Sequence, residues 1–224
     1  MTAVVALVAA RDEGDRIEAT VRGLRSIEGV ASVIVVDDGS GDDTAARALA
    51  AGATVLRHER PRGKGGALES ALRRLPPAQV WLLADGDLAD SAAELGPLLA
   101  PILAGEADLV VGIVPPAQGG GFGLVKRSAA RAIRRLGGIE VGEPLSGQRA
   151  LTGAGLDAVR PLARGFALET AMTIDAARAG LRILEVPVSV AHRPTGRTLR
   201  GFAHRARQGL EIAVAVARRS RRRR

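Results

Sequence analysis

A chain of 224 residues with 46% hydrophobic content can bury one good-sized core, and at most it forms one domain with an appended element. Aromatics make up only 2%, which nearly removes stacking platforms for single-stranded nucleic acid, and the absence of cysteine excludes disulfides, thiolate zinc sites and a cysteine nucleophile. The net charge of +8 is uneven: residues 193–224 hold eleven arginines against one acid, Glu211, which leaves the preceding 192 residues at −2.

In chain order, Val4–Ala10 reads as a first strand, because Met1 to Ala10 lacks a basic n-region and runs at once into Arg11-Asp12-Glu13; a signal peptide is not expected. Ile17, Val21, Leu24 and Ile27 recur at helical spacing. Ser32–Val36 is a second strand ending in Asp37-Asp38-Gly39-Ser40, and Gly41-Asp42-Asp43-Thr44 supplies N-cap chemistry for a helix through Ala45, Ala48 and Leu49. Thr54–Arg57 is a short third strand. Lys64-Gly65-Gly66 opens a helix carrying Leu68, Leu72 and Leu75. Val80–Ala84, bounded by Pro76-Pro77 and Gly86, reads as a buried parallel strand that delivers Asp85-Gly86-Asp87 at its tip. Ser91-Ala92-Ala93-Glu94 predicts a capping box at a helix start, and Asp108–Gly112 a fifth strand. Strands alternating with helices in this way predict a doubly wound α/β, mostly parallel sheet.

After Gly112 the rhythm changes. Val114-Pro115-Pro116 and Gly119-Gly120-Gly121 predict a lid or acceptor-binding loop, and a basic helix with Lys126, Arg127, Arg131, Arg134 and Arg135 follows. Pro144 to Leu151 reads as a turn entering a strand, Leu168–Ala179 as a helix, and Leu181–Val190 as a last strand that Pro187 marks as an edge or bulged one. Leu199, Phe202, Ala206, Leu210, Ala213 and Val214 keep helical spacing, so the arginine-rich end begins as an amphipathic helix. The organisation expected is two halves of one domain, residues 1–112 and 113–198, followed by an amphipathic C-terminal helix and tail over 199–224.

Open parallel sheets bind ligands beyond the carboxyl ends of their strands, where Asp85 and Asp87 are expected. Two like charges this close repel, and a hard divalent cation relieves them; Mg²⁺ and Mn²⁺ take oxygen ligands and are held by one or two carboxylates plus substrate phosphates. The pair therefore points to a metal–diphosphate ligand.

Four segments, Ala9-Ala10-Arg11-Asp12-Glu13, Asp37-Asp38-Gly39-Ser40, Gly63-Lys64-Gly65 and Asp85-Gly86-Asp87, together resemble the nucleotide-diphospho-sugar glycosyltransferases of the GT-A fold, a Rossmann-like nucleotide-binding architecture. The likeness is to family two and its neighbour the glucosyl-3-phosphoglycerate synthases, over nearly the whole chain. The first segment occupies a Pro-Ala-x-Asn-Glu-like turn with Pro and Asn replaced; the others match Asp-Asp-Gly-Ser, Gly-Lys-Gly and the D-x-D. Pro144-Leu145-Ser146-Gly147 resembles a Pro-Leu-Ala-Gly segment, Gly165 to Glu169 a Gly-Tyr-Gly-Val-Glu segment, and Ala191-His192-Arg193 an Ala-His-Arg that supplies a metal ligand.

The resemblance implies a glycosyltransferase using Mg²⁺ or Mn²⁺, with UDP-glucose the favoured donor and a hydroxyl acceptor left open. Asp38 would accept from a base imide, with Glu13 and the backbone at Ala9 and Ala10 holding base or ribose. Lys64, at a helix N-terminus, would face the diphosphate; Asp85 and Asp87 would grip the divalent ion that holds it, with His192 completing the metal shell beside Asp87; Glu169 would orient the acceptor, stabilise the anomeric centre or act as a base. The phosphoglycerate enzymes place an Arg and a Thr after the glycines where Phe122 and Gly123 stand here, so Lys126, Arg127 or Arg149 are alternative phosphate ligands, or solvated charges. Gly112-Ile113-Val114 departs from the Gly-Ser-Arg of polyprenyl-phosphate enzymes. That membrane-surface reading and a sugar-phosphate nucleotidyltransferase remain alternatives; for the latter, Arg11-Asp12-Glu13 matches poorly. A cytoplasmic setting is expected, with peripheral contact at the inner membrane face through the C-terminal helix, a homodimer as a further option, and no specific nucleic acid.

Overall fold

The computed structural model describes residues 2–113, 123–191, 213–217 and 219–220. The segment read as a lid or acceptor-binding loop, residues 114–122, His192 and most of the expected amphipathic C-terminal helix lie outside the described residues. The chain runs β1 (Val4–Ala10), α1 (Ile17–Ser26), β2 (Val30–Asp37), α2 (Thr44–Ala50), β3 (Thr54–Arg57), α3 (Lys64–Leu72) and β4 (Val80–Asp85). A 3₁₀ stretch (Ala89–Leu98) leads into α4 (Leu99–Leu103), then β5 (Leu109–Ile113), α5 (Gly123–Gly137), β6 (Arg149–Thr152), α6 (Gly153–Ala158), α7 (Leu168–Arg178) and β7 (Ile183–Pro187).

These strands form one sheet in the order β3-β2-β1-β4-β6-β5-β7. All pairs are parallel except those of β6, which runs antiparallel between β4 and β5. The chain moves outward from β1 to β2 and β3, then returns to the other side of β1 with β4. That reversal is the crevice where open α/β sheets bind ligands, and it brings the tips of β1, β2 and β4 together.

Side-chain alternation assigns the faces. On one face Val4, Ala6, Val8, Val33, Val35, Val80, Leu82 and Ala84 pack on α1 and the 3₁₀ stretch through Ile17, Val21, Leu24, Leu95 and Leu98. On the other, Leu7, Ile34, Val36, Trp81, Leu83 and Leu151 pack on α3, α6 and α7 through Leu68, Leu72, Leu156, Leu168 and Met172. Continuing the period of two past Trp81 and Leu83 puts Asp85, the last residue of β4, on the α3/α7 side.

Pro187 closes the edge strand β7, as expected, but that strand is shorter than Leu181–Val190. The capping box is overturned. The helical stretch begins at Ala89 as a 3₁₀ helix, and the Ser91 hydroxyl donates to the Leu88 carbonyl at 2.6 Å instead of capping a helix. The helix after Gly41-Asp42-Asp43-Thr44 does receive a local acceptor, from Asp42: its Oδ1 takes the Thr44 N–H at 3.0 Å.

The turn after β4 is latched from α1. Thr20, fully buried, donates to the Gly86 carbonyl at 3.0 Å and accepts the Ala89 N–H at 2.8 Å, while Arg16 Nη1 donates to the Asp87 carbonyl at 3.1 Å. Ala89 sits at φ 50°, a left-handed conformation that an alanine holds only when its surroundings fix it. Thr20→Val keeps the shape of the side chain but strands the Ala89 N–H; we expect a loss of about 1–3 kcal/mol in urea unfolding, with a lower transition midpoint and an unchanged slope.

Candidate active site

The loops after β1 and β2 are stitched to each other. Asp12 N–H donates to Ser40 Oγ at 3.0 Å, Glu13 N–H to Thr44 Oγ1 at 2.9 Å and Gly14 N–H to Asp42 Oδ2 at 2.9 Å, while Asp12 Oδ1 accepts the Gly41 N–H at 2.8 Å. Asp12 has φ 55°, a region that Asn and Asp enter more readily than other side-chain-bearing residues. Aspartate in the asparagine position of this turn therefore keeps both its backbone shape and its acceptor. Ala9 and Ala10 end β1, paired with Val36 and Asp37 of β2, and the Ala10 carbonyl accepts the Asp38 N–H at 2.9 Å.

Asp38 is built into this scaffold. Its carboxylate accepts the Arg62 N–H (2.8 and 3.0 Å to its two oxygens), the Gly63 N–H at 2.7 Å and His58 Nδ1 at 2.9 Å. These bonds occupy most of the roughly four acceptor positions of a carboxylate. Asp38 thus shapes the Arg62-Gly63 loop that launches α3. His58, buried beneath, meets Ser70 Oγ of α3 through Nε2 at 2.7 Å. An open cleft of about 540 Å³ lined by Gly39, Ser40, Arg57, His58 and Glu59 lies beside it.

The centre of the site is an ionic cluster drawn from three distant segments. Lys64 Nζ, at the start of α3, stands 2.5 Å from Asp85 Oδ1 and 2.8 Å from Glu169 Oε1 in the first turn of α7. Burial by itself would lower the Lys64 pKa, but the adjacent charges and hydrogen bonds of Asp85 and Glu169 outweigh it and hold the ammonium above its ordinary value. Glycines permit the approach. A Cβ on Gly65 would meet the Ala163 carbonyl oxygen at 1.8 Å, and one on Gly147 would meet Lys64 Nζ at 2.3 Å and Asp85 Oδ2 at 2.6 Å. The Ser146-Gly147 turn therefore closes directly over the ion pair.

Gln148, fully buried, fixes the remaining side of Asp85. Its Nε2 donates to Asp85 Oδ2 at 2.6 Å and its Oε1 accepts the Asp85 N–H at 3.2 Å. Both Asp85 oxygens are thus engaged within the protein, and the cation beside it is a lysine. Sequence reasoning did not single out Gln148, although it follows the Pro144–Gly147 motif; only the antiparallel insertion of β6 next to β4 brings it to Asp85.

Asp87, half-buried, follows on the latched turn. Among the described residues no three His, Cys, Asp or Glu side chains gather as a metal cluster. A carboxylate such as that of Asp87 has the hard oxygen-donor chemistry that suits Mg²⁺ or Mn²⁺ shared with substrate phosphates; His192, its expected companion, lies outside the described residues.

In the later half of the chain, Lys126 pairs with Glu143, and Glu143 and Gly142 donate their N–H groups to Glu185 at 2.8–2.9 Å. Arg127 is exposed. Arg149 is neither a solvated charge nor an accessible phosphate ligand: it stands on β6 with 1% of its surface exposed. Further along α7, Val216 packs against the cluster of Ala132, Ile133, Leu136 and Ile174 between α5 and α7, and Arg219 pairs with Asp175. No helix among the described residues is long and apolar enough to cross a membrane.

A mostly parallel sheet whose carboxyl edge gathers an acidic D-x-D turn, a lysine at a helix start and interlocked loops from β1 and β2 defines a GT-A nucleotide-sugar fold. The chain belongs to glycosyl transferase family 2, whose model matches residues 5–154. It is 30% identical over 198 residues to glycosyltransferase AglJ of Haloferax volcanii, covering 87% of this chain and 65% of that one. It is 33% identical over 206 residues to glucosyl-3-phosphoglycerate synthase of Mycobacterium tuberculosis, covering 80% of this chain and 61% of that one. The chain thus spans just under two thirds of the length of these relatives. Crystal structures of the mycobacterial enzyme superimpose over 97% of this chain: the complex with Mn²⁺, UDP-glucose and phosphoglyceric acid at TM-score 0.80 and 27% identity, covering 79% of that chain, and the complex with Mg²⁺ and UDP at TM-score 0.82 and 28% identity, also covering 79%.

Lys64→Met would leave two carboxylates facing each other. We expect a loss of about 3 kcal/mol of stability at neutral pH. Because the folded state raises the Lys64 pKa above 10.5, this stabilisation is complete below that pH and fades as pH climbs through the raised value. Urea unfolding at stepped pH should show a constant gap between wild type and variant from about pH 7 to 10, then a narrowing one.

Proposed function

We propose that this protein is a metal-dependent glycosyltransferase that moves a sugar, glucose by preference, from a nucleotide-diphosphate donor to a hydroxyl acceptor of the small phosphorylated-acid class. UDP-glucose is the favoured donor. The observation that carries the reading is the Lys64–Asp85–Glu169 cluster at the carboxyl edge of the sheet, next to the Asp87 turn. Membership of family 2 and the likeness to a synthase crystallised with UDP-glucose, Mn²⁺ and phosphoglyceric acid support it. We assign residues 1–112 to the donor and 113–198 to the acceptor.

In this mechanism Lys64, held at the first turn of α3, faces the diphosphate together with the helix amides. Asp85 and Gln148 fix the lysine in place so that no reorganisation is needed as charge develops. Asp87, with His192 as its expected companion, would hold Mg²⁺ or Mn²⁺. When bound, the metal supplies Lewis-acid neutralisation of the departing diphosphate. Glu169 orients the acceptor hydroxyl or stabilises the anomeric centre, and its link to Lys64 couples the donor and acceptor sides. Glu13 and the β1 tip border the nucleoside, alongside the cleft at Ser40 and Arg57. The cysteine-free sequence is in keeping with a cytoplasmic setting.

Mass spectrometry of products from isotopically labelled UDP-glucose, Mn²⁺ and a pool of acceptors including 3-phosphoglycerate should reveal one glycosylated acceptor. Asp87→Ala is expected to lower turnover by about a hundredfold or more, and chelation of the metal should do the same to wild type. Turnover indifferent to both would overturn the assignment of Asp87.

A further inference from the structure

Arg149 is a buried cation whose environment does not account for it. Its Nε donates to the Ser146 carbonyl at 2.9 Å and its Nη1 to Thr173 Oγ1 at 3.0 Å, yet Nη2 has no partner and no carboxylate lies within ion-pairing distance among the described residues. Taking a guanidinium out of water costs several kcal/mol, and two neutral acceptors do not offset that. Burial pulls its pKa down to about 10, opposed by the fields of Glu169 and Glu185, so it stays charged at neutral pH.

Its two bonds join both halves of the site. Ser146 belongs to the turn that carries Gly147 over Lys64 and Gln148 to Asp85; Thr173 in turn donates to the Glu169 carbonyl at 3.0 Å. Alternation on β6 places Arg149, like Leu151, on the α3/α7 face, opposite Leu83 of β4. Glu185, the other carboxylate whose field reaches it, is turned to the amides of Gly142 and Glu143.

We propose that Arg149 is a positioning residue acting through charge: from behind the site it cancels the surplus negative charge of the Lys64–Asp85–Glu169 cluster and thereby lets a metal-bound pyrophosphate settle there. Lys64 alone leaves its two carboxylates one negative charge in excess, which would repel a diphosphate; the buried guanidinium removes that excess without occupying the ligand's space. The proposal rests on the nucleotide-sugar reading only in taking a pyrophosphate group as the ligand.

Calorimetric titration of Mn²⁺-pyrophosphate and of Mn²⁺-UDP into wild type, Arg149→Met, Glu169→Gln and the double variant tests it. Arg149→Met should bind Mn²⁺-pyrophosphate roughly tenfold more weakly, Glu169→Gln more tightly than wild type, and the double variant close to wild type, because its cluster is neutral again. Arg149→Gln, which keeps a donor but not the charge, carries the same expectation should the methionine variant fold poorly, with thermal unfolding as the check. Unchanged binding by the single variant, or a double variant as weak as the single one, overturns the proposal, since a purely structural arginine would not be rescued by Glu169→Gln. Variants that follow this pattern with Mn²⁺-pyrophosphate while none of the proteins binds Mn²⁺-UDP uphold the Arg149 inference and sink the donor assignment; a wild type that binds neither overturns both.

Discussion

One ammonium group, Lys64 Nζ between the carboxylates of Asp85 and Glu169, is the constraint around which the rest of this site is arranged. It joins the end of a strand to the starts of two helices that lie on the same face of the sheet. With only 24% of the lysine side chain exposed, the three charges are partly withdrawn from water, and the one ammonium must serve both carboxylates. The local sequence yields to that requirement. Glycine stands at 65 and 147 because any side chain there would occupy the space of the Ala163 carbonyl or of the ion pair itself.

Around this cluster the surrounding polar groups are directed inward to hold backbone. Asp38 gathers the amides that launch α3, Asp42 and Thr44 tie the β1 loop to the β2 loop, and Thr20 with Arg16 clamps the turn carrying Asp87. Each bond contributes only about 0.5–1.5 kcal/mol net, yet together they fix where the charged groups stand. A site that works by stabilising developing charge benefits from such preorganisation, because fixed dipoles and charges need not rearrange during the reaction. The family membership and the likeness to a synthase crystallised with Mn²⁺ and UDP-glucose fall into place on this scaffold, in which Asp85 fastens the lysine.

The insertion of β6 antiparallel between β4 and β5 is what completes the arrangement. It lays Gln148 against Asp85 and carries Arg149 beneath α7, bridging the Ser146 turn and Thr173. Through Gln148 the later half of the chain takes direct hold of Asp85.

By itself the sequence determined the local elements and their faces. The bounds of β1 and β3, the buried stripe of α1, the delivery of Asp85 at the tip of β4 and the edge position of Pro187 all follow from periodicity and from residues with restricted backbones. The motifs in order also revealed which loops share the sheet's carboxyl edge. Only the tertiary structure decided who partners whom. That Asp85 meets a lysine and a glutamine, that Asp38 is held by Arg62 and Gly63, that Arg149 is buried and that Ser91 turns to Leu88 depend on strand order and helix placement. The physical reason is that periodicity encodes which way a side chain faces within its own element. The partner it finds there, up to 105 residues away for Lys64 and Glu169, is set by the packing of the whole sheet.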